Sequence, residues 1–299
     1  MTGGNAGWLA ARETLDAAAR GDGLVAALAA WRPPGRRLSV VDIGGDAGAN
    51  LRYLARHLGG PQEWLLVDRD EQRLATAWDA IGGWAGSHGG LTADEADRLV
   101  VRCPAFGCTV RGLGLDISRD LPSLPLAEAD LVTGSALLGR VSEDWLGDLV
   151  ARCLQAGAAA LFALNADGRI AWDPSHWLDG AMRQRVSRCQ RLNQGFGPAL
   201  GVTAVGAAAY ALEAVGYTTV EAESDWQLGP AEASMQEALL DGWVSDALAV
   251  DPGAEAMLRD WRAFRQAAIA DGSSRLRVGH RDLFAWARPR GSRRSAAGF

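Results

Sequence analysis

Lysine is absent from this chain of 299 residues, and all 30 residues counted as lysine or arginine are arginines. Without a side-chain primary amine the protein cannot form a lysine Schiff base, hold pyridoxal phosphate covalently or build the lysine-containing loop of P-loop NTPases. Anion recognition and charge pairing must therefore depend on arginine.

Cysteine is also scarce. The four cysteines are Cys103, Cys108, Cys153 and Cys189, and none of them forms a C-x-x-C pair. This spacing predicts neither a zinc site nor a disulfide framework. The first residues lack the pattern of a signal peptide, and every apolar run is shorter than the ~20 residues that a membrane-spanning helix requires. We expect a cytoplasmic protein with no membrane partner.

The net charge is −6. Because proteins that bind nucleic acids generally do so through many cationic contacts to phosphates, this balance argues against a nucleic-acid partner. The one basic run lies at residues 288–294, within a Gly/Ser/Ala-rich end, and we expect residues 289–299 to be a disordered tail.

Short apolar runs alternate with stretches of helical spacing along most of the chain. The apolar runs predict strands over 38–43, 63–67, 110–117, 129–134, 158–164, 217–223 and 276–287. The intervening spacing predicts helices over 5–30, 48–58, 71–81, 143–155, 203–215, 232–249 and 253–270. This order indicates a doubly wound α/β domain whose parallel strands bind ligands at their carboxyl ends.

Two segments interrupt the alternation. The connection over 82–108 contains a stretch at 92–99 that we expect to be helical. The segment over 166–201 is rich in Trp, Arg, Asn, Gly and Pro, and it predicts a cap-like insertion that carries binding loops.

The most informative segment is the turn that follows the first predicted strand. It contains Asp42, Gly44 and Gly48 and leads directly into a helix. Glycine lets the backbone approach a ligand closely, and the start of a helix presents free N–H groups. The dinucleotide pattern G-x-G-x-x-G is absent here. Two further acids, Asp68 and Asp116, are predicted to end the second and third strands, so three carboxylates are expected beside the turn.

Asp42-x-Gly44-x-Asp46-x-Gly48, Asp68 and Leu115-Asp116-Ile117 resemble motifs I, II and III of the class I S-adenosylmethionine-dependent methyltransferases, and 130–134 resembles motif IV. The resemblance covers mainly residues 35–165. It implies a seven-stranded, mostly parallel sheet with an antiparallel last strand. It also implies that Gly44 and Gly48 wrap the methionine part, that Asp68 binds the ribose hydroxyls, and that Asp116 and Ile117 contact the adenine. The full set of expected cofactor contacts is Asp42, Gly44, Gly48, Asn50, Asp68, Asp116, Ile117, Gly134 and Ser135.

One position departs from the family pattern, since Asp46 stands where the middle glycine of the turn is usual. A carboxylate there would repel the cofactor's own carboxylate by about 1 kcal/mol if it pointed inward. Alternatively, Asp46 points outward or caps the following helix.

Under this resemblance the protein converts S-adenosyl-L-methionine to S-adenosyl-L-homocysteine, with no metal, by direct transfer to an O, N or C atom of a small-molecule acceptor. We expect the acceptor above the fourth and fifth strands, and His176 is the candidate general base. The candidate acceptor contacts are Arg169, Trp172, Arg188, Arg191 and Phe196. Packing of the aromatic side chains and solvation of the arginines are the alternatives.

Three other functions stay open at this stage. The first is a cofactor-binding or scaffold protein that keeps the fold without catalysis. The second is a nucleic-acid methyltransferase, although the Asn/Asp-Pro-Pro-Tyr type of motif is missing after the fourth strand. The third, an NAD-dependent reductase, conflicts with the turn spacing and the missing lysine. We divide the chain into a helical segment or lid at 1–34, a methyltransferase domain at 35–288 with the cap-like insertion, and the tail, and we expect a monomer or homodimer.

Overall fold

The computed structural model describes residues 6–95 and 97–287. Within these residues the strands form one ten-stranded sheet with helices on both faces. The strands are β1 Leu38–Ile43, β2 Gly60–Asp68, β3 Leu91–Glu95, β4 Arg98–Arg102, β5 Phe106–Gly114, β6 Leu131–Ser135, β7 Ala159–Asp173, β8 Tyr217–Glu223, β9 Trp226–Leu228 and β10 Arg275–Ala287. The α-helices are α1 Ala6–Ala19, α2 Asp22–Trp31, α3 Ala49–Leu58, α4 Glu71–Ser87, α5 Glu143–Ala156, α6 Asp179–Gln190, α7 Ala204–Ala214, α8 Ala233–Val250 and α9 Glu255–Ala270.

The centre of the sheet has the predicted arrangement. Strands β5, β2, β1, β6 and β7 are parallel neighbours in that order. Strand β10 runs antiparallel between β7 and β8. These seven strands confirm the expected mostly parallel sheet with an antiparallel last strand, and β3, β4 and β9 are additions to it.

Alternation along β1 shows how the sequence builds a two-sided core. Val41 and Ile43 belong to a buried cluster with α5 and α7, whereas Leu38 and Val40 belong to a cluster with α2, α3 and α4. Successive side chains of a strand point to opposite faces, so an uninterrupted apolar strand requires helices on both sides.

The N-terminal segment forms two helices instead of one over 5–30. The break lies at Arg20 and Gly21, between α1 and α2. The first ten side chains of the expected helical segment or lid at 1–34 lie outside the described part of the structure, as does the expected tail at 289–299.

The predicted helix at 92–99 is wrong, because this segment forms the antiparallel hairpin of β3 and β4 at the edge of the sheet. Leu99 and Val101 are buried against β5 while their neighbours are not, which is the two-residue period of a half-buried strand. The many polar residues of β3, which is exposed throughout, hid this alternation.

The segment at 166–201 is not a simple loop insertion. β7 pairs with β6 only as far as Ala163, but it stays paired with β10 as far as Asp173. The extended ends of β7 and β10 therefore form a ribbon that leaves the sheet. The cap consists of this ribbon together with α6, β9, α8 and α9, which share a third buried cluster.

Three tryptophans form the centre of the cap. Trp172 of β7 meets Trp243 of α8 and Trp261 of α9 edge-on, with ring centroids 6.1 and 6.3 Å apart. The fully buried Arg265 places its guanidinium 4.8 Å from the Trp172 ring centroid and pairs with Asp179. Residues far apart in sequence thus fold into one unit. No helix in the described ranges is long and apolar enough to cross a membrane.

Candidate cofactor site

The glycine turn lies between β1 and α3, at the carboxyl end of the sheet. The N–H groups of Gly44 and Gly45 donate to the Val67 carbonyl of β2 at 2.8 and 3.1 Å. Gly44 and Gly48 have φ values of +71° and +77°, which glycine adopts without a steric cost. A Cβ at Gly44 would contact nothing within 4 Å, so the space beside the turn is open.

Asp46 resolves the departure from the family pattern. Its φ is +44°, so the residue keeps the left-handed conformation that the usual glycine would adopt. Aspartate tolerates this region better than most residues. The carboxylate forms an ion pair with Arg73 of α4 at 3.2 Å, and the N–H donates to Asp68 at 3.3 Å. The charge of Asp46 is therefore balanced by Arg73.

Asp68 is the last residue of β2, and Asp116 lies just beyond the end of the neighbouring strand β5. Asp68 ends β2 and accepts hydrogen bonds from the N–H groups of Asp46 and Asp70. The prediction that Asp116 ends the third strand is wrong by two residues, because β5 ends at Gly114; Asp116 accepts hydrogen bonds from the N–H and hydroxyl of Ser118 at 3.1 and 2.6 Å. The Ser118 hydroxyl lowers the pKa of Asp116. Hydrogen bonds from the chain thus fix both carboxylates.

Asp42 is the centre of a buried polar network. The Asn50 amide nitrogen donates to Asp42 Oδ1 at 2.9 Å and to the Thr133 hydroxyl at 3.1 Å, while Arg20 donates to the Asn50 oxygen at 2.7 Å. Burial raises the pKa of Asp42 to about 7, against the opposing effects of Asn50 and Arg20. Oδ2 of Asp42 is buried and has no hydrogen-bond partner among the described residues.

Gly134 and Ser135 end β6, next to the glycine turn. A Cβ at Gly134 would lie 2.9 Å from the Ile43 carbonyl oxygen, so only glycine allows β6 to pass β1 this closely. Ser135 is half-buried at the end of the strand. Both residues lie where the resemblance places motif IV.

Two non-glycine residues with positive φ lie where the pairing of β6 with β7 ends, one just after β6 and one within β7. Ala136 has φ +52° and Leu164 has φ +55°. The N–H of Ala136 donates to the carbonyl of Ala163 at 2.9 Å, so the two strained positions are neighbours. Such conformations persist only where the surrounding structure enforces them, and they are concentrated at functional sites.

Phe196 lies beside the candidate cofactor residues and not in the core of the cap. Its backbone pairs with Val141, and its ring meets the Trp145 ring edge-on at 5.3 Å. The Trp145 indole N–H donates to the carbonyl of Ile117 at 2.8 Å. The structure therefore brings Phe196 beside the Asp116–Ile117 segment, although the sequence suggested an acceptor contact.

The other candidate acceptor residues have structural partners. Arg169 binds Asp225 through two hydrogen bonds, at 3.1 and 2.8 Å, and also binds Asp167 at 2.6 Å. Trp172 lies in the cap core. Arg188 donates to the carbonyl of Val250, and Arg191 is exposed. None of these contacts joins the residues to the glycine turn, and their acceptor roles stay predictions.

His176 lies in the cap, at the start of α6. Its Nδ1 accepts a hydrogen bond from the N–H of Leu178 at 3.2 Å, and its ring packs 4.7 Å from the Phe264 ring. Only Nε2 is available to accept a proton in this arrangement. The described contacts do not connect His176 with the glycine turn or with the end of β6.

Sequence reasoning missed several residues of the site, because each comes from a distant part of the chain. Arg73 forms an ion pair with Asp46, the Trp145 indole donates to the Ile117 carbonyl, and Arg140 donates to Gln194. Arg20 completes the Asp42 network together with Thr133, which lies in the segment that resembles motif IV. No local pattern distinguishes these residues, since arginine serves most charge pairs in a chain without lysine.

Helix α1 connects the glycine turn with the cap. Arg52 of α3 binds Glu13 through two hydrogen bonds and donates to the carbonyl of Ala47 in the turn at 2.6 Å. On its other side, Asp16 accepts a hydrogen bond from the Trp226 indole of the cap at 3.0 Å. The helix thus spans the gap between both parts.

Comparison with solved structures supports the strand order. A cyclopropane-fatty-acyl-phospholipid synthase-like protein from Lactobacillus casei matches with a TM-score of 0.50 at 15% identity, over 92% of each chain. The chain has the class I methyltransferase fold. At this identity, the likeness shows the methyltransferase fold alone.

Two further structures align over most of the methyltransferase fold. They are a cyclopropane synthase from Mycobacterium tuberculosis (TM-score 0.42, 11% identity, 89% of this chain and 84% of that one) and an arsenic(III) S-adenosylmethionine methyltransferase from Chlamydomonas reinhardtii (TM-score 0.40, 14% identity, 87% and 66%). No protein-family model matches the sequence, and the comparison with curated proteins gives no match.

The residues present fit S-adenosylmethionine. The open turn at Gly44 leaves room for the ligand backbone, and Asp42 offers a buried oxygen without a partner below the turn. The acids at the ends of β1, β2 and β5 suit a ligand with a cationic sulfur and two ribose hydroxyls. Among the described residues, no group of three or more His, Cys, Asp or Glu side chains is arranged to hold a metal ion.

Proposed function

We propose that this protein is an S-adenosylmethionine-dependent methyltransferase that acts on a small-molecule acceptor. The observation that carries the proposal is the placement of Asp42, Asp68 and Asp116 at the ends of three adjacent strands, around an open glycine turn. A buried, partly ionised carboxylate and two hydrogen-bonded acids match the donor and charge pattern of that cofactor better than that of an anionic dinucleotide.

Each part of the site has a proposed role. Gly44 and Gly48 border the methionine part, Asp68 accepts the ribose hydroxyls, and Asp116 accepts the adenine amino group. Ile117 and Phe196 then lie beside the adenine ring. When bound, S-adenosylmethionine supplies a methyl group whose bond to sulfur breaks as a bond from an acceptor O, N or C atom forms; the acceptor loses a proton, and S-adenosylhomocysteine leaves.

A small acceptor is supported by the position of α1 between the glycine turn and the cap. Helix α1 is held to α3 on one side and to the cap on the other, through Arg52–Glu13 and Trp226–Asp16. A folded nucleic acid or protein would need an open surface there. The protein's contribution to the reaction is then to align the acceptor and exclude water.

Calorimetric titration with S-adenosylhomocysteine tests cofactor binding. We expect the Asp68→Asn variant to bind at least about 30-fold more weakly, which corresponds to about 2 kcal/mol for lost hydrogen bonds to a charged acceptor. The matched control is Glu63→Gln on the same strand, whose exposed carboxylate pairs with Arg37 at the opposite end. Absence of binding by the wild-type protein at millimolar ligand contradicts the proposal.

The acceptor class needs a second experiment. Cell extract is incubated with the protein and S-adenosylmethionine labelled in its methyl group, and the small-molecule, nucleic-acid and protein fractions are counted separately. Label in the small-molecule fraction, absent with Asp68→Asn, supports the proposal. Label only in nucleic acid supports the competing methyltransferase class, and binding without transfer supports a non-catalytic protein.

A further inference from the structure

We propose that Arg20 of the α1–α2 junction is a positioning residue for the cofactor site, because it orients the Asn50 amide so that Asp42 is held as the carboxylate that receives the cationic cofactor. The inference rests on the proposed function and adds to it a residue outside every motif of the sequence. It makes cofactor affinity depend on the seating of the N-terminal helices.

The hydrogen bonds from Arg20 through Asn50 to Asp42 have a fixed direction. Arg20 can only donate, since a guanidinium has no acceptor atom. Its donation to Asn50 at 2.7 Å therefore requires the amide oxygen on that side. The amide NH₂ group must then face Asp42 and Thr133, to which it donates at 2.9 and 3.1 Å. Each side chain in this series of hydrogen bonds therefore has a single orientation.

Removal of Arg20 would free the orientation of the Asn50 amide. The Asn50 amide could then turn over and present its oxygen to Asp42. Two acceptors would face each other in a buried site, and the contact becomes favourable only if Asp42 carries a proton and donates it. Arg20 thus favours the ionised form of Asp42 both by its charge and by fixing the amide.

The surroundings of the network leave few other charges to control Asp42. Arg20 from the helix junction and Asp68 from β2 are the charged groups that act on it. Arg20 itself faces Asp282 of β10, Asp16 of α1 and the Tyr53 ring of α3, whose centroid lies 4.4 Å from the guanidinium carbon. Arg20 is buried, and its Nε has no partner among the described residues.

The test is the pH dependence of S-adenosylmethionine binding, measured by calorimetry without acceptor between about pH 6 and 8.5. For the wild-type protein we expect affinity to fall about tenfold per pH unit below a midpoint near 7, the slope of one titrating group. In Arg20→Gln we expect the midpoint to rise by at least one unit, so that affinity at pH 7.5 drops at least about threefold and recovers at higher pH.

Two variants separate positioning from general damage. Arg56→Gln removes an exposed guanidinium that lies 5.6 Å from the centroid of the same Tyr53 ring, and it is expected to keep the wild-type pH profile. Asp42→Asn is expected to bind weakly and equally at every pH, because the titrating group is gone. A parallel loss of affinity at all pH values in Arg20→Gln overturns the inference, since that is the effect of a merely structural residue.

A measurement without ligand distinguishes this inference from the proposed function. Difference infrared spectroscopy detects the carbonyl band of a buried protonated carboxyl, identified as Asp42 by its loss in Asp42→Asn. We expect this band to persist to higher pH in Arg20→Gln than in wild type, and an unchanged titration overturns the inference. Absence of S-adenosylmethionine binding by the wild-type protein, with the infrared shift present, overturns the proposed function and the cofactor role, but leaves the control of Asp42 by Arg20 standing.

Discussion

Arg52 of α3 binds Glu13 of α1 through two parallel hydrogen bonds, from Nε to Oε1 at 2.7 Å and from Nη2 to Oε2 at 2.5 Å. The Arg52 side chain is 8% exposed, so the pair is largely shielded from water. Since Arg52 also donates to the glycine turn, this contact fastens the first helix directly to the cofactor site.

Glu13→Gln should therefore release α1. The variant leaves a buried guanidinium without its carboxylate, and we expect a loss of about 1–2 kcal/mol in unfolding free energy. Hydrogen exchange of the α1 amides should increase more than that of α3. The control is Glu63→Gln, which breaks the exposed pair with Arg37 and should cost less than about 0.5 kcal/mol. Equal effects of the two changes would contradict a structural role for the Arg52 pair.

Asp46→Gly should stabilise the turn or leave it unchanged. Glycine removes the strain of the positive φ, about 1 kcal/mol, while the half-exposed ion pair with Arg73 is lost at a similar or smaller cost. Asp46→Ala loses the ion pair and keeps the strain, so it should be about 1 kcal/mol less stable than the glycine variant. Urea unfolding measures the order. In Ala47→Gly, at a position without positive φ, no gain is expected.

Arg265→Met should destabilise the cap strongly. Arg265 is fully buried and pairs with Asp179, so its removal leaves a carboxylate of the cap without its cation, at a cost of about 3 kcal/mol or more. Tryptophan fluorescence reports the change, because Trp172 and Trp261 both lie against the guanidinium. Arg259→Met on the same helix breaks only an exposed pair with Glu255, and its unfolding curve should match wild type.

His280 should make the protein less stable in acid. Burial, reinforced by the nearby charge of Arg12, lowers its pKa to about 4 in the folded protein, whereas the unfolded chain takes up the proton near 6.5. Between these values the unfolded state binds more protons, so stability falls as pH decreases, by about 3 kcal/mol in total. Urea unfolding at pH 7 and 5 should show a smaller loss for His280→Gln. His88→Gln, at an exposed helix end, should behave as wild type.

The sheet could be predicted from the sequence because burial on both faces produces continuous apolar runs. Strand β1, which is buried along almost its whole length, begins and ends where the apolar run predicts. The edge hairpin could not be predicted in the same way, because only Leu99 and Val101 of β4 are buried and β3 is exposed. A strand with one solvated face and polar residues lacks the signal that identifies the central strands.

Only part of the candidate site could be predicted from the sequence. The acids at the strand ends could be predicted from local spacing, since Asp42 and Asp68 are themselves among the last residues of β1 and β2. The partners of those acids could not. Arg20 reaches Asn50 only after α1 has folded onto α3, and Arg169 is paired by Asp225, 56 positions away. Because arginine is the only strongly cationic residue type in the chain, the sequence does not indicate which arginines lie at the candidate site and which form structural ion pairs elsewhere.

Strands β7 and β10 each run without a break from the sheet into the cap, over Ala159–Asp173 and Arg275–Ala287. The cap consequently cannot be removed or replaced as a separate unit without cutting two strands of the sheet. Deleting 166–201 would truncate a central strand, and β10 would lose its partner over half its length. Under the proposed function, a change of acceptor through the cap therefore requires substitutions inside the existing cap. An engineer who wants to alter specificity faces the same restriction.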